Sequence, residues 1–193
     1  MICSNPIDLA VLADYWLGTL PGPEEETVEE HLLGCDPCGA RLREVIALAE
    51  GVRDLARQGS LRMIVSDSFI ERALEAGLHI RAYAPPRSGA VECTVTAEDD
   101  ILVGRLAADF SGARRVDLCI CDARGVEQIR FPNIPFHPEA DSIVFQESIS
   151  FVKAAPSYTA IARLVTFDEK GDEQLLGEYT FNHTRTLPGP GAW

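Results

Sequence analysis

The spacing of apolar residues changes near residue 90 and divides the chain into two halves. Before residue 90, apolar residues recur every three or four positions, which is the period of an amphipathic α-helix. The first helix is predicted to begin with Asn5 as its N-cap and Pro6 in the first helical position. Its apolar stripe consists of Leu9, Leu12, Ala13, Trp16 and Leu17.

Two further helices are predicted before residue 60. The second begins at Pro23, is followed by three glutamates that the positive end of the helix dipole favours, and ends at Gly34. The third has Asp36 as its N-cap, a proline in the first position, and an apolar stripe that continues to about Arg57. A fourth helix is predicted at 69–76, because Ser68 and Glu71 resemble a capping box.

Beyond residue 90 the apolar positions alternate with polar ones, as in strands with one buried face. Turn-forming residues at 122–125 and 168–173 separate adjacent strands. The strand-like segments are 91–95, 101–107, 116–120, 126–131, 142–151 (one or two strands), 158–167 and 174–181. Short strands at such close spacing are typical of a β-sandwich.

These patterns predict an α+β protein of two domains. Residues 1–80 are expected to form a helical domain and residues 90–187 a sandwich-like β domain. The stretch 84–89, which contains two prolines and a glycine, is the predicted linker.

Composition and charge narrow the class of protein. Apolar residues make up 46% of the 193 residues, and the formal net charge is −13. A chain this acidic repels nucleic-acid phosphates, so we expect a basic protein partner and no direct binding to nucleic acid or membrane. The sequence contains no apolar stretch of membrane-spanning length, and its first Lys or Arg is Arg41. We therefore expect a cytoplasmic location.

The segment from His31 to Cys38 contains the pattern H-x3-C-x2-C. His31 lies in the last turn of the predicted second helix, Gly34 allows a sharp turn, and Cys38 lies in the first turn of the third helix. This helix–turn–helix brings three ligands toward one point, as tetrahedral zinc requires. A thioredoxin-like site would need a strand before Cys35, and a zinc deaminase would need a different order of ligands.

The N-terminal segment resembles the zinc-binding anti-sigma domain of bacterial anti-sigma factors over roughly residues 5–50. The resemblance rests on residues 13–20, the acidic stretch 23–26, the segment 28–38 that contains H-x3-C-x2-C, and Arg41-Leu42. It implies three or four helices that wrap between the two main domains of an extracytoplasmic-function sigma factor and cover its polymerase-binding surfaces.

The fourth zinc ligand departs from the family pattern. The family places a His or Cys roughly 25 residues before the motif His, where this chain has Pro6. Cys3 is the preferred candidate, and Asp8, a water molecule or the absence of zinc are the alternatives. The predicted metal ligands are therefore His31, Cys35, Cys38 and Cys3.

The other histidines and cysteines are expected to have structural roles. His79, His137 and His183 are isolated and fit surface or hydrogen-bonded core positions better than metal ligation. Cys119 and Cys121 lie on one face of a predicted strand, where buried cysteines behaving as small apolar residues are expected.

The sequence therefore predicts a zinc-dependent anti-sigma factor that is not an enzyme, with a β domain that senses or regulates. Leu12, Trp16, Phe69 and Ile70 are the apolar residues predicted to contact the sigma factor. Oxidation of Cys35 and Cys38 with loss of zinc is a possible trigger. The alternatives are a dithiol redox protein that uses the same cysteines, and a protein-binding module with a purely structural zinc domain.

Overall fold

The computed structural model describes residues 3–188, which form two compact units that divide after Gln58. The first unit is helical, and the second contains the two β-sheets. The layout confirms the predicted α+β class with two domains. The division lies well before residue 80, however, because the predicted fourth helix packs with strands of the second unit.

The helical unit contains α1 (Leu9–Leu17), α2 (Gly22–Gly34) and α3 (Asp36–Arg57). Leu12 of α1 and Val28 of α2 are buried in it, and the Arg53 guanidinium of α3 lies 4.1 Å from the ring centroid of Trp16. The first helix begins later than predicted. Asp8, not Asn5, is the N-cap, since its side chain accepts a hydrogen bond from the Ala10 N–H at 2.8 Å.

The second unit contains nine strands and two short helices among its described residues. Their bounds are β1 (Met63–Val65), α4 (Asp67–Glu75), β2 (Ile80–Tyr83), β3 (Ala90–Cys93), β4 (Ile101–Ala107), β5 (Val116–Cys121), β6 (Glu127–Phe131), β7 (Ser142–Glu147), α5 (Ile149–Ala154), β8 (Tyr158–Phe167) and β9 (Glu173–His183). One sheet has the order β1-β7-β4-β2 and the other the order β3-β9-β8-β5-β6. The pairs β2–β4 and β3–β9 are parallel, so both sheets are mixed.

The core of the second unit lies between the two sheets. Leu106 of β4 and Phe145 of β7 belong to the same buried cluster as Leu118 of β5, Leu164 of β8 and Tyr179 of β9. Because each sheet contributes one apolar face to this cluster, the arrangement is that of a sandwich.

Three local predictions for this unit were wrong. Residues 149–154 form α5 rather than the end of a strand, because the Ser148 hydroxyl caps the Phe151 N–H. The predicted linker 84–89 connects β2 to β3 within the unit, and the Ser88 N–H donates to the Glu178 carbonyl. Ser66, not Ser68, is the N-cap of α4.

The two predicted turns are confirmed. Asp122 accepts hydrogen bonds from the N–H groups of Arg124 and Val126, and Asp168 accepts from those of Lys170 and Asp172. No helix within residues 3–188 has the length and apolar character needed to cross a membrane.

Candidate metal centre

The fold brings together four side chains that can bind a metal ion. Cys3, His31, Cys35 and Cys38 each offer one ligand atom, and these atoms all lie within 4.8 Å of one another. All four were predicted as ligands from the sequence, and the structure places them in one cluster.

The junction between α2 and α3 positions three of the four donors. His31 lies in the last turn of α2, which ends at Gly34, and Cys35 is the one residue between the helices. Cys38 lies in the first turn of α3 and is fully buried. Because Pro37 cannot donate a backbone hydrogen bond, it fits the start of α3, where that donor would have no partner within the helix.

The segment before α1 brings the fourth donor to this junction. The Cys3 Sγ lies 3.5 Å from the His31 Nε2, although 28 positions separate the two residues in the sequence. Arg41 of α3 fastens the segment, since its Nη1 donates to the Ile7 carbonyl at 2.6 Å. The Ile7 N–H also lies close enough to the Cys38 thiol to lower its pKa. Ile7 thus lies against two residues of α3.

Asp8, the alternative fourth ligand, has a different role. Its carboxylate caps α1, and it is not among the four clustered donors. The sequence could not separate these two candidates, because a carboxylate can serve either as a metal ligand or as an N-cap.

The surroundings of the cluster favour a thiolate at Cys38. The Ile7 N–H, followed by hydrogen bonds from the side chains of Cys35 and His31, lowers the pKa of Cys38 to about 7 despite the opposing effect of burial. The pKa of Cys35 is raised. The Cys38 N–H acts to lower it, but burial and the neighbouring thiols of Cys3 and Cys38 outweigh that effect.

The donor set and its dimensions fit a tetrahedral metal ion. With Zn–S bonds of about 2.3 Å and Zn–N bonds of about 2.0 Å, a regular tetrahedron separates sulfur from nitrogen by roughly 3.5 Å. The Cys3–His31 separation matches this edge. Three sulfur donors and one imidazole nitrogen form a closed ligand set of the kind found in structural sites.

One known family matches part of this unit. Residues 9–39 match a family model described as "Putative zinc-finger". The matched span contains α1, α2 and three of the four donors. The helical unit fits a zinc-binding anti-sigma-type domain. Within this domain the chain contributes Cys3 from outside the matched span.

The other comparisons add little. No curated protein matches this sequence. Among solved structures, the chain is similar to the N-terminal domain of phage TP901-1 ORF48, with 12% identity and a TM-score of 0.32, covering 55% of this chain and 98% of that one.

The remaining predicted histidines and cysteines lie apart from the metal centre. His79 and His137 are exposed, and Cys119 and Cys121 are buried, as predicted. Burial raises the pKa of Cys119 to about 12, which keeps its thiol protonated and unreactive. His183 differs from the prediction. It is buried, yet neither of its ring nitrogens has a hydrogen-bond partner within residues 3–188.

Two residues that support the site were missed by sequence reasoning. Arg41 was noted only as part of the family resemblance, and Ile7 carried no signal at all. Their contribution depends on backbone atoms of Ile7, so no side-chain pattern could have revealed it.

Proposed function

We propose that the helical unit binds Zn²⁺ through Cys3, His31, Cys35 and Cys38, and that the zinc-bound unit sequesters a sigma factor of the extracytoplasmic-function class. The observation that carries this proposal is the cluster of four donors at the α2–α3 junction, in a segment that matches a zinc-finger family. The role requires binding and no catalysis.

A surface of α3 supports the second part of the proposal. Leu48, Val52 and Leu55 follow one another at helical spacing along the second half of α3, and they are 72%, 44% and 45% exposed. Apolar side chains in such a stripe are suited to a groove on a partner protein. We name these three residues the α3 stripe and assign them to the sigma-factor contact.

The α3 stripe replaces the contact residues predicted from the sequence. Leu12 is fully buried within the helical unit and cannot reach a partner. Phe69 and Ile70 lie on α4, where they pack against the cluster of Val65, Val103 and Val144 in the other unit. Trp16 is partly covered by Arg53.

Charge supports a basic partner. Residues 1–58 contain eleven Asp and Glu and four Arg, with no Lys. Sigma factors need basic faces to bind DNA, so an acidic helical unit would be attracted to those faces before it docks.

The test is co-purification of the full chain with its sigma factor. Tagged protein would be purified anaerobically from its native cell, bound proteins identified by mass spectrometry, and zinc measured by elemental analysis. We expect one zinc per chain and a stoichiometric sigma factor. His31→Ala and Cys38→Ser should lose both zinc and sigma factor, whereas Leu48→Glu should keep zinc and lose the sigma factor.

Matched controls separate these effects. His137→Ala and Cys93→Ala alter the same residue types in the other unit and should change neither property. Zinc binding without any sigma factor in the wild-type sample would contradict the sequestration proposal and leave the metal site intact. Absence of zinc from a folded wild-type chain would contradict the metal site itself.

A second candidate function is redox sensing, which the proximity of the two motif cysteines favours. The Cys35 and Cys38 sulfurs lie within 4.8 Å, so a modest shift would allow a disulfide. Hydrogen peroxide would take two electrons from the two thiolates as the S–S bond forms, its O–O bond would break, and with two protons from solvent it would leave as two water molecules, releasing zinc.

An oxidant titration tests this function. Stoichiometric peroxide should release zinc, form one disulfide between Cys35 and Cys38, and dissociate the sigma factor. Retention of zinc and of the complex after oxidation would exclude the redox switch without affecting the sequestration proposal.

A further inference from the structure

A cavity lies between the two sheets of the β-rich unit, at the end covered by α5. Leu102 and Gly104 of β4 line one side, Ala160 of β8 and Phe181 of β9 the other, and Val152 of α5 lies at the edge. The space inside that is open to a water-sized sphere has a volume of about 60 Å³. At about 10–15 Å³ for each such sphere, this space accommodates roughly four to six non-hydrogen atoms.

His183 lines this cavity with its polar atoms unpaired. It is 4% exposed, and its register partners are Cys93 on β3 and Tyr158 on β8. Neither ring nitrogen forms a hydrogen bond within the described part of the chain. An unpaired polar group in a protein core is costly and uncommon, so it calls for a partner.

Two other polar side chains of the cavity lining, Tyr83 and Glu147, already have hydrogen-bond or ion-pair partners. The Tyr83 hydroxyl donates to the Thr94 carbonyl at 2.6 Å and accepts from the Thr94 N–H at 2.8 Å. Glu147 forms an ion pair with Arg62. Among the buried polar side chains of the lining, His183 is the one whose polar atoms lack a partner within residues 3–188.

The protonation state of the His183 imidazole decides which kind of ligand can hydrogen-bond to it. Burial, with help from the nearby positive charge of Arg185, lowers the pKa of His183, so the ring is neutral at pH 7. A neutral ring has one N–H and one acceptor nitrogen. The Val152 carbonyl is near enough to act on the pKa, although it lies outside hydrogen-bond geometry, and it is the natural partner for the N–H. The acceptor nitrogen then remains for a ligand that donates.

We propose that this inter-sheet cavity is a binding site for a small, neutral, single-ring or short-chain molecule whose hydroxyl group donates a hydrogen bond to His183. The apolar walls select an apolar body, and the unpaired imidazole selects the donor. An anion is disfavoured, because the residues that line the cavity include no Lys or Arg to bind it. The site is independent of the metal centre and of any sigma factor.

Cyclopentanol and methylcyclopentane are matched probes for this site. The two molecules have the same number of non-hydrogen atoms, within the range that the cavity accommodates, and similar shape, but only cyclopentanol can donate a hydrogen bond. The full-length chain, loaded with zinc, would be titrated with each probe. Dissociation constants would come from calorimetry, and ¹⁵N spectra of ring-labelled histidine would report on His183.

Three variants locate and define the site. His183→Phe removes the acceptor and keeps a ring, so cyclopentanol should bind about tenfold more weakly, while methylcyclopentane should bind equally well or more tightly. Ala160→Leu fills the cavity and should abolish binding of both probes. His137→Phe makes the same replacement at an exposed position outside this cavity and should change neither constant.

Folding of each variant would be checked by thermal unfolding. We expect His183→Phe to be as stable as the wild type or more so, because it removes an unpaired buried polar group. If His183→Phe fails to fold, the ¹⁵N chemical shift of His183 in the wild-type chain still tests the proposal, since cyclopentanol should change this shift and methylcyclopentane should not.

The proposal is overturned by any of three results. These results are that cyclopentanol does not bind the wild-type chain, that its binding survives Ala160→Leu, or that the His183 resonance does not respond to bound cyclopentanol. It is also overturned if His183→Phe keeps the wild-type preference between the two probes.

Discussion

Within residues 3–58 of the helical unit, the buried side chains are Leu12, Val28 and Cys38, whereas the β-rich unit buries a continuous cluster between its two sheets. One of the three buried residues of the helical unit is a metal-site cysteine. A segment of this length rarely folds on so small an apolar core. From this comparison we expect the helical unit to depend on a bound metal ion for its stability, whereas the sandwich depends on packing.

The largest expected effect is that of metal removal. Structural zinc contributes apparent free energies of about 10–16 kcal/mol in small zinc domains. A chelator should therefore unfold the helical unit and leave the sandwich folded. Hydrogen exchange should show loss of amide protection in α1–α3 and retained protection in β8 and β9. Equal loss of protection in both units would contradict the proposed difference.

A core truncation in the sandwich should have the opposite pattern. Leu164 is fully buried between the sheets, so Leu164→Ala should lower the free energy of unfolding of this unit by about 2–5 kcal/mol. Zinc content should not change. Leu175→Ala, at a residue that is 57% exposed, is the control and should cost far less. Urea unfolding monitored by far-UV circular dichroism would measure both variants.

Loss of the Arg41 contact should weaken the metal site without removing a ligand. Arg41→Met keeps most of the apolar stem but lacks the donor to the Ile7 carbonyl, and a hydrogen bond from a charged group contributes about 1.5–3 kcal/mol. We expect zinc affinity to fall by about tenfold or more in a competition titration. Arg43→Met, an exposed position on the same helix, should leave the affinity unchanged.

The smallest expected effect is the pH dependence of the sandwich. Asp117 is fully buried, which acts to raise its pKa, but hydrogen bonds from Arg115, the Asn133 N–H and Arg130 outweigh burial and hold the pKa below its usual value. The folded-state pKa therefore lies below the unfolded value of about 3.9. The stability from this carboxylate is present above about pH 4 and is lost as the pH falls through the folded-state pKa.

Amide exchange in β5 and β8 between pH 5 and pH 3 would measure this dependence. The free energy of unfolding should decrease by at most about 1.4 kcal/mol per pH unit from Asp117 alone. Asp117→Asn should be less stable at pH 5 and should show a shallower decrease below pH 4. Asp172→Asn, at an exposed turn position, should retain the wild-type slope.

The cluster of candidate metal ligands could be predicted mainly because three of its four residues are local in sequence. His31, Cys35 and Cys38 lie on two successive helices joined by one residue, so their spacing almost determines their geometry. Cys3 could be named only as the preferred candidate for the fourth ligand. Its position depends on contacts of the Ile7 backbone, which the sequence pattern does not reveal.

The strands could be predicted where they were long enough to show alternation. β4, β5, β6 and β8 lie close to their predicted bounds, whereas β1 and β2, of three and four residues, have too few positions to show a period. Both strands form by pairing with strands that come later in the sequence, since β1 pairs with β7 and β2 pairs with β4. The α4 helix was recognised as a helix, but only its packing against Val103 and Val144 shows which unit it joins.

The parallel pair of β3 and β9 has a consequence for synthesis on the ribosome. Val91 pairs with Phe181, and Cys93 with His183, so β3 has no neighbour in its sheet until β9 has been translated. At about 5–20 residues per second, β3 waits roughly 5–18 s for this partner. During that interval the nascent sandwich exposes the edge of β3, and after β8 has been made also the edge of β8, to aggregation and to proteases. The helices that hold the metal ligands, by contrast, are complete before the first strand is made.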